Sequence, residues 1–315
     1  MTLPAGAPRK PKALHKGSKV AVFAPASPAE HSEFSAGLAE LGRLGYSCIP
    51  AQLPIPQGYF AGSTQERLET LLDAARDPEV AAFVAIRGGY GANYLLDTDL
   101  SAQFGLPRCV IGFSDVTSLQ TYLWQKCGWV TFYGPMLAAG FNRGVNNANG
   151  YDGASFLQAV GNSQNGWDVN LLGQCLVAGA AEGRLLGGCL TLLETTLGTP
   201  WEIDATDAIL LLEDRGMRPY QVDRALMHLK QAGKLAAVKG IILGEFPDSE
   251  PSLVGSPTVL EVCDRILRPL GVPIVFGAPV GHTPRPMLTI PLGICAHLTA
   301  KGPGTLEFLE PAVSP

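Results

Sequence analysis

Charge is scarce in this chain. Asp, Glu, Lys and Arg together make up 16% of its 315 residues, and the formal net charge is −5. With 46% hydrophobic residues beside so little charge, the chain has the composition of one that buries a core, not of a disordered one. No basic surplus is available to neutralise phosphates, so no nucleic-acid partner is expected. Long hydrophobic runs are missing as well. The apolar stretches are short and interrupted, and none approaches the ~20 residues that span a bilayer. The N-terminal stretch MTLPAGAPRKPKALHKG is basic but has no apolar run of the kind a secretory signal needs, and Pro4, Pro8 and Pro11 make it read as a mobile tail. The seven cysteines, Cys48, Cys109, Cys127, Cys175, Cys189, Cys263 and Cys295, include no Cys-x-x-Cys pair. An odd number of scattered thiols in a chain of this size suits a reducing cytosol. The five histidines, His15, His31, His228, His282 and His297, show no metal-ligand spacing. The expectation is a soluble, cytoplasmic protein.

A chain of this length exceeds the ~100–200 residues of a typical domain, so two domains are expected. The first half alternates strand and helix signals. Lys19 to Ala24 is a β-branched and aromatic run ending at Pro25, and Phe34, Leu38, Leu41 and Leu44 recur at helical spacing. Ser63 and Glu66 are spaced as a capping box before Leu68, Leu71, Leu72 and Ala75. Val80 to Ile86 is apolar on both faces, as a central parallel strand must be. Cys109 to Gly112 is a further strand, Val116 to Lys126 a helix and Val130 to Tyr133 a strand. This alternation predicts an α/β fold with an open, mostly parallel sheet, whose ligands collect beyond the carboxyl ends of the strands. Residues 142–174 are rich in Asn and Gly and poor in periodic segments, which reads as a connection. Strands near 178–186, 208–212, 238–243 and 273–276 then alternate with helices over 191–197, 220–232 and 258–267. The expected organisation is a flexible tail (1–18), an N-terminal domain (19–145), a linker (146–175) and a C-terminal domain (176–315).

The residues that could carry chemistry lie just past predicted strands. Ser114, in IGFSDVTSL, sits between the strand ending at Gly112 and a helix beginning near Asp115. There its hydroxyl would project above the sheet edge, next to amides able to stabilise an oxyanion. The ordinary alternative is that Ser114 or Asp115 caps the helix. Position 116 is Val, so this is not a G-x-S-x-G elbow. Arg87 to Gly91 follows the central strand. Its glycines permit positive φ and close ligand approach, either as a tight turn or as an oxyanion donor. The third glycine of a dinucleotide fingerprint is missing, and so is a ribose-binding acid, which argues against a nucleotide oxidoreductase. Glu213 and Asp214 directly follow the strand AILLL; a salt bridge to Arg215 or Arg218 is the ordinary use. His282 lies in the rigid loop PVGHTPRPM, where a structural role is the ordinary alternative. Together they form the order Ser…Glu…His, in which His removes the serine proton and the carboxylate orients the imidazole. The residues alone reach a serine hydrolase, with a non-catalytic ligand-binding protein on the same fold as the alternative from another class.

Six segments, VAVFAPASP, AIRGGYGANYLLD, VIGFSDVTSL, GRLLGGCLTLL, LLLEDRGMRPYQVDRAL and PVGHTPRPMLTIPLG, together resemble the LD-carboxypeptidase family. That family includes murein tetrapeptide carboxypeptidases and microcin C immunity peptidases. The segments run in the family's order from about Lys19 to Gly293. The resemblance implies a Ser-His-Glu triad of Ser114, His282 and Glu213, and an oxyanion hole from the amides of Gly88 and Asp115. It implies a flavodoxin-like N-terminal domain carrying the nucleophile and a smaller β/α C-terminal domain carrying Glu213 and His282, with the site in the cleft between them. It also implies a homodimer without metal or organic cofactor, releasing the terminal D-alanine of murein tetrapeptide in cell-wall recycling. An immunity-type peptidase or amidase acting on aminoacyl-nucleotide conjugates is the alternative within the family. One departure stands out. The family's GGNL segment reads Gly187-Gly188-Cys189-Leu190 here, so a thiol replaces an Asn expected near the substrate. Arg87, and also Arg285, are candidates to supply a compensating charge to a free carboxylate.

Overall fold

The computed structural model describes residues 7–49, 52–164, 166–251 and 253–315. The first half runs β1 (Lys19–Phe23), α1 (His31–Arg43), β2 (Ser47–Cys48), α2 (Thr64–Arg76), β3 (Val80–Ala85), β4 (Cys109–Gly112), α3 (Thr117–Cys127) and β5 (Thr131–Tyr133). The second half runs α4 (Gly153–Gly161), β6 (Trp167–Asn170), β7 (Gln174–Val177), β8 (Gly179–Cys189), α5 (Leu190–Thr195), β9 (Ala208–Glu213) and α6 (Pro219–Gln231). It continues through β10 (Gly240–Leu243), α7 (Val259–Leu267), β11 (Ile274–Phe276), β12 (Ile290–Leu292), β13 (Cys295–Ala300) and β14 (Thr305–Phe308).

The first sheet has the order β12-β5-β4-β3-β1-β2. Strands β1 to β5 are parallel and β12 closes one edge antiparallel to β5. The order 2-1-3-4-5 is that of flavodoxin-like folds, as the resemblance implied. β3 is buried along nearly its whole length, because helices and loops cover both faces. α2 starts with the expected capping box: the Ser63 hydroxyl accepts from Glu66 N at 3.2 Å, and Glu66 accepts from Ser63 N at 2.7 Å. The second sheet has the order β6-β14-β13-β8-β9-β10-β11-β7, with β8 to β11 parallel and the outer strands antiparallel.

α3 lies between the two sheets. Every residue from Thr117 to Trp124 is buried, polar ones included. The Gln120 amide donates to the carbonyls of Gly112 and Phe132, and the Thr117 hydroxyl accepts from Cys189 N at 3.1 Å, tying the first sheet to β8.

Two expectations about the connecting segments need correction. Of the expected tail, residues 1–6 lie outside the described residues, but residues 7–18 include backbone-paired positions. Arg9 N donates to Gly128 O, Ala13 N to Ser314 O and Leu14 N to Val160 O, and the Leu14 side chain is buried. Pairing with main chain far away in sequence is what pins this stretch, and its prolines do not prevent that. The stretch 146–175, read as a linker poor in long periodic segments, holds α4, β6 and the start of β7. Asp152 caps α4 by accepting from Ser155 N at 2.7 Å. Phe156 and Ala159 on its inner face are fully buried.

Candidate active site

Ser114 follows β4 at the start of a single 3-10 turn that leads into α3. Its φ is +61°, a left-handed conformation that costs a non-glycine residue about 1–3 kcal/mol. The surrounding contacts hold it there. Asp115 is buried, and its Oδ2 accepts from Ala92 N at 2.7 Å, which joins the serine turn to the glycine loop after β3. Burial pushes the Asp115 carboxyl up to about 6, against the backbone donors of Ala92 and Gly91 and the charge of Arg67. The Arg67 guanidinium, itself buried, donates to Gly91 O at 2.8 Å and to Pro25 O, so it fixes the loops after β3 and β1 together.

Gly88 stands directly against the serine. A Cβ at Gly88 would lie 2.9 Å from Ser114 Cβ, 3.2 Å from Ser114 Oγ and 3.4 Å from Asp115 N. This is a close approach that only glycine allows, and it brings the Gly88 and Asp115 main chains to one place beside the hydroxyl.

Glu213 ends β9 and is completely buried. Its Oε2 accepts from the backbone N–H of His282 at 2.8 Å and lies 2.9 Å from His282 Nδ1. Burial pulls the His282 imidazole down, but the charge of Glu213 and the hydrogen bond to it, with a smaller push from Asp214, leave its pKa above the usual histidine value. The ring of Phe113, the residue before the serine, meets the His282 ring edge-on at 5.0 Å. Ser114 and His282 line one cleft of about 710 Å³ together with Arg87, Gly88 and Gly281. No hydrogen bond joins Ser114 Oγ to His282 among the described residues; in ligand-free sites this contact often tightens only when substrate binds.

Gly281 makes the loop possible. Its φ is +60°, and a Cβ there would sit 2.4 Å from Glu213 Cδ. Gly281→Ala is therefore expected to push the carboxylate away from His282 and cut turnover by about a hundred-fold or more, the scale of a misplaced catalytic group. Steady-state kinetics beside a thermal melt would check it; unchanged turnover would mean that Glu213 does not need this position.

The remaining candidates divide. Arg87 is exposed at the cleft, its guanidinium donating to Pro28 O at 3.1 Å. Arg143 and Arg215 share the cleft wall, each facing a carboxylate: Glu33 at 3.6 Å and Asp248 at 2.6 Å. Arg285 is committed elsewhere, to Glu245 and to the carbonyls of Leu172 and Gly277. Cys189 does not line this cleft. It is buried at the end of β8 with Sγ 3.4 Å from Asp214 Oδ2, and burial, followed by the charges of Asp214 and Glu213, pushes its thiol far up. The expectation of a missing donor to substrate is corrected accordingly: the side chain at this position turns to Asp214 and does not line the cleft, although its strand neighbour is Glu213. Tyr133 was not singled out in the sequence, although it ends a strand as Glu213 does; its hydroxyl donates to Glu213 Oε1 at 2.5 Å. No group of three or more His, Cys, Asp or Glu able to hold a metal occurs among the described residues.

Comparison with known proteins follows the same two halves. The family model for the LD-carboxypeptidase N-terminal domain matches residues 20–134, and that for the C-terminal domain matches residues 182–298. The chain is 37% identical over 303 residues to a probable murein peptide carboxypeptidase of Bacillus subtilis (strain 168), covering 95% of this chain and 94% of that one. It is 27% identical over 302 residues to the microcin C7 self-immunity protein MccF of Escherichia coli, covering 86% of each. The crystal structure of muramoyltetrapeptide carboxypeptidase from Oxalobacter formigenes superposes with a TM-score of 0.81 at 30% identity, covering 93% of this chain and 99% of that one.

Proposed function

The chain belongs to the LD-carboxypeptidase family, and from that premise we propose that it is a serine carboxypeptidase releasing the terminal D-alanine of murein tetrapeptide in cell-wall recycling. The observation that carries this reading is the buried Glu213 gripping His282 on the wall of the cleft onto which Ser114 opens. In this reading Ser114 Oγ attacks the carbonyl of the bond before the last residue, and His282 takes the serine proton. Glu213 holds the imidazole in the tautomer with its free nitrogen toward the serine and stabilises the imidazolium. The amides of Gly88 and Asp115 receive the oxyanion. The amine of D-alanine leaves with the proton from His282, and water then hydrolyses the acyl-enzyme by the same route in reverse.

A carboxypeptidase must also hold a free carboxylate. Arg87 is the cleft arginine whose guanidinium donates to a neutral carbonyl in place of a carboxylate, so we assign it that role. The nucleophile belongs to an N-terminal domain (19–145), and Glu213 and His282 to a C-terminal domain (176–315). Seven free thiols support a cytoplasmic setting. The family's homodimer is carried forward with the proposal. Among the described residues no helix is long and apolar enough to cross a membrane.

The test is incubation with murein tetrapeptide and mass spectrometry of the products. Tripeptide and free D-alanine are expected. Loss of any other residue, or no cleavage by folded protein while an aminoacyl-nucleotide conjugate is cut, would transfer the protein to the immunity-type branch.

A further inference from the structure

A buried phenol bridges the two sheets. Tyr133 ends β5 and is completely buried. Its hydroxyl donates to Glu213 Oε1 on the second sheet, and the same oxygen accepts from the backbone N–H of Ser114 at 3.3 Å. Glu213 Oε2 makes the shorter contacts with the ring and the main chain of His282, while Oε1, besides accepting from Tyr133, lies 3.3 Å from His282 Nδ1. A single side chain behind the cleft thus touches both the main chain of the nucleophile and the carboxylate of the triad.

We propose that Tyr133 is a positioning residue of the catalytic triad: it occupies one oxygen of Glu213, tempers the pull of that carboxylate on His282, and anchors the Ser114 turn. This rests on the catalytic reading above. Burial, and then the charge of Glu213, raises the phenol well above its ordinary range, so it remains a proton donor throughout the working range of the site. The other titratable groups around Glu213 and His282 are Cys189 on β8 and Asp214 and Arg215 at the end of β9. Among the described residues neither Cys189 nor Arg215 gives Glu213 a hydrogen bond; Cys189 turns to Asp214 and Arg215 to Asp248. Tyr133 is therefore the neutral side chain that tunes the carboxylate. A donor drains negative charge from a carboxylate. Removing it strengthens the remaining attraction to the imidazolium and raises the pH at which His282 loses its proton.

The test compares Tyr133→Phe with 2,3-difluorotyrosine at position 133, a more acidic and stronger donor. Phe should lower kcat by about ten- to hundred-fold, the scale of one hydrogen bond to a charged group, with KM little changed. It should also move the acid limb of kcat/KM upward by about half a pH unit. The difluorophenol should move that limb downward. Slower turnover with neither the limb nor the His282 titration moved, or both substitutions moving the limb the same way, would reduce Tyr133 to a packing residue and overturn the proposal. If the Phe variant does not fold, the fluorinated protein decides alone. The His282 imidazole is followed in parallel by nitrogen NMR without substrate. If its titration moves while the rate profile does not, the link from Tyr133 to His282 stands and the catalytic reading of His282 falls. If neither moves in folded protein, the link itself falls.

Discussion

Ser114→Ala is expected to lower turnover on murein tetrapeptide by about 10⁴–10⁶-fold, as loss of the nucleophile does in other triads. The change deletes one oxygen. The backbone amide that reaches Tyr133 stays, the positive φ stays, and the Asp115 carboxylate still accepts from Ala92. The melting temperature should therefore remain within about 2 °C of the parent. Whatever cleavage survives would come from the amides of Gly88 and Asp115 acting on an attacking water. Product release followed by mass spectrometry, with a thermal melt of the same sample, separates chemistry from folding. A folded variant keeping more than about a tenth of wild-type turnover would remove Ser114 from the mechanism.

Glu213→Gln should be nearly as damaging, at about 10³–10⁴-fold in kcat, because the carboxylate is surrounded by donors. His282 N, His282 Nδ1 and Tyr133 Oη all point at it. Gln offers one acceptor oxygen and an NH2. With the oxygen turned to His282, the amide faces the Tyr133 hydroxyl, which must then accept where it had donated. The pH profile carries the second half of this prediction. His282 is raised above the usual ~6.5 because the charge of Glu213 and its hydrogen bond outweigh burial. In the parent, efficiency should thus fall as pH drops through a value above 6.5, where the imidazole gains its proton and can no longer act as base. With Gln the burial contribution is left largely unopposed, so the limb should move to lower pH even as the maximum collapses. A flat parental profile between about pH 5 and 8 with chemistry rate-limiting would contradict the role of His282.

The parallel half of the fold was readable because its signals are local. VAAFVA is apolar on both faces, Ser63 and Glu66 stand three apart at the start of α2, and Phe34, Leu38 and Leu41 recur at helical spacing in α1. The rest escaped for reasons that are not local. β13 and β14 do alternate in burial, as CAHLTA and TLEF suggest, but each is short and they pair with one another and with strands more than 100 residues away. Residues 142–174 read as a connection because Asn and Gly dominate; Phe156 and Ala159 acquire their core only once α4 is packed. Within the site, the strand-end rule located Ser114 and Glu213, and the rigid loop located His282. Tyr133 obeyed the same rule and was passed over, since a phenol at a strand end has no chemistry until its partner, 80 residues on, is known. Cys189 was misplaced for the opposite reason: its neighbour in the sheet is Glu213, but its side chain turns to Asp214.

The antiparallel strand β12 joins the first sheet although it lies far beyond the first half of the chain. During synthesis the ribosome delivers β1 to β5 long before residues 290–292 exist, so the nascent sheet waits with the edge of β5 bare. Thr131, Phe132 and Tyr133 offer that edge an apolar template for unwanted pairing. The late-arriving strand then covers it, and Pro291, opposite Phe132, contributes no N–H with which a further strand could be recruited. The same event draws in the loop that carries His282, because that loop runs from β11 in one sheet to β12 in the other. Sealing the exposed edge of β5 and fastening the far end of the His282 loop to the first sheet are therefore one and the same step in the assembly of the fold.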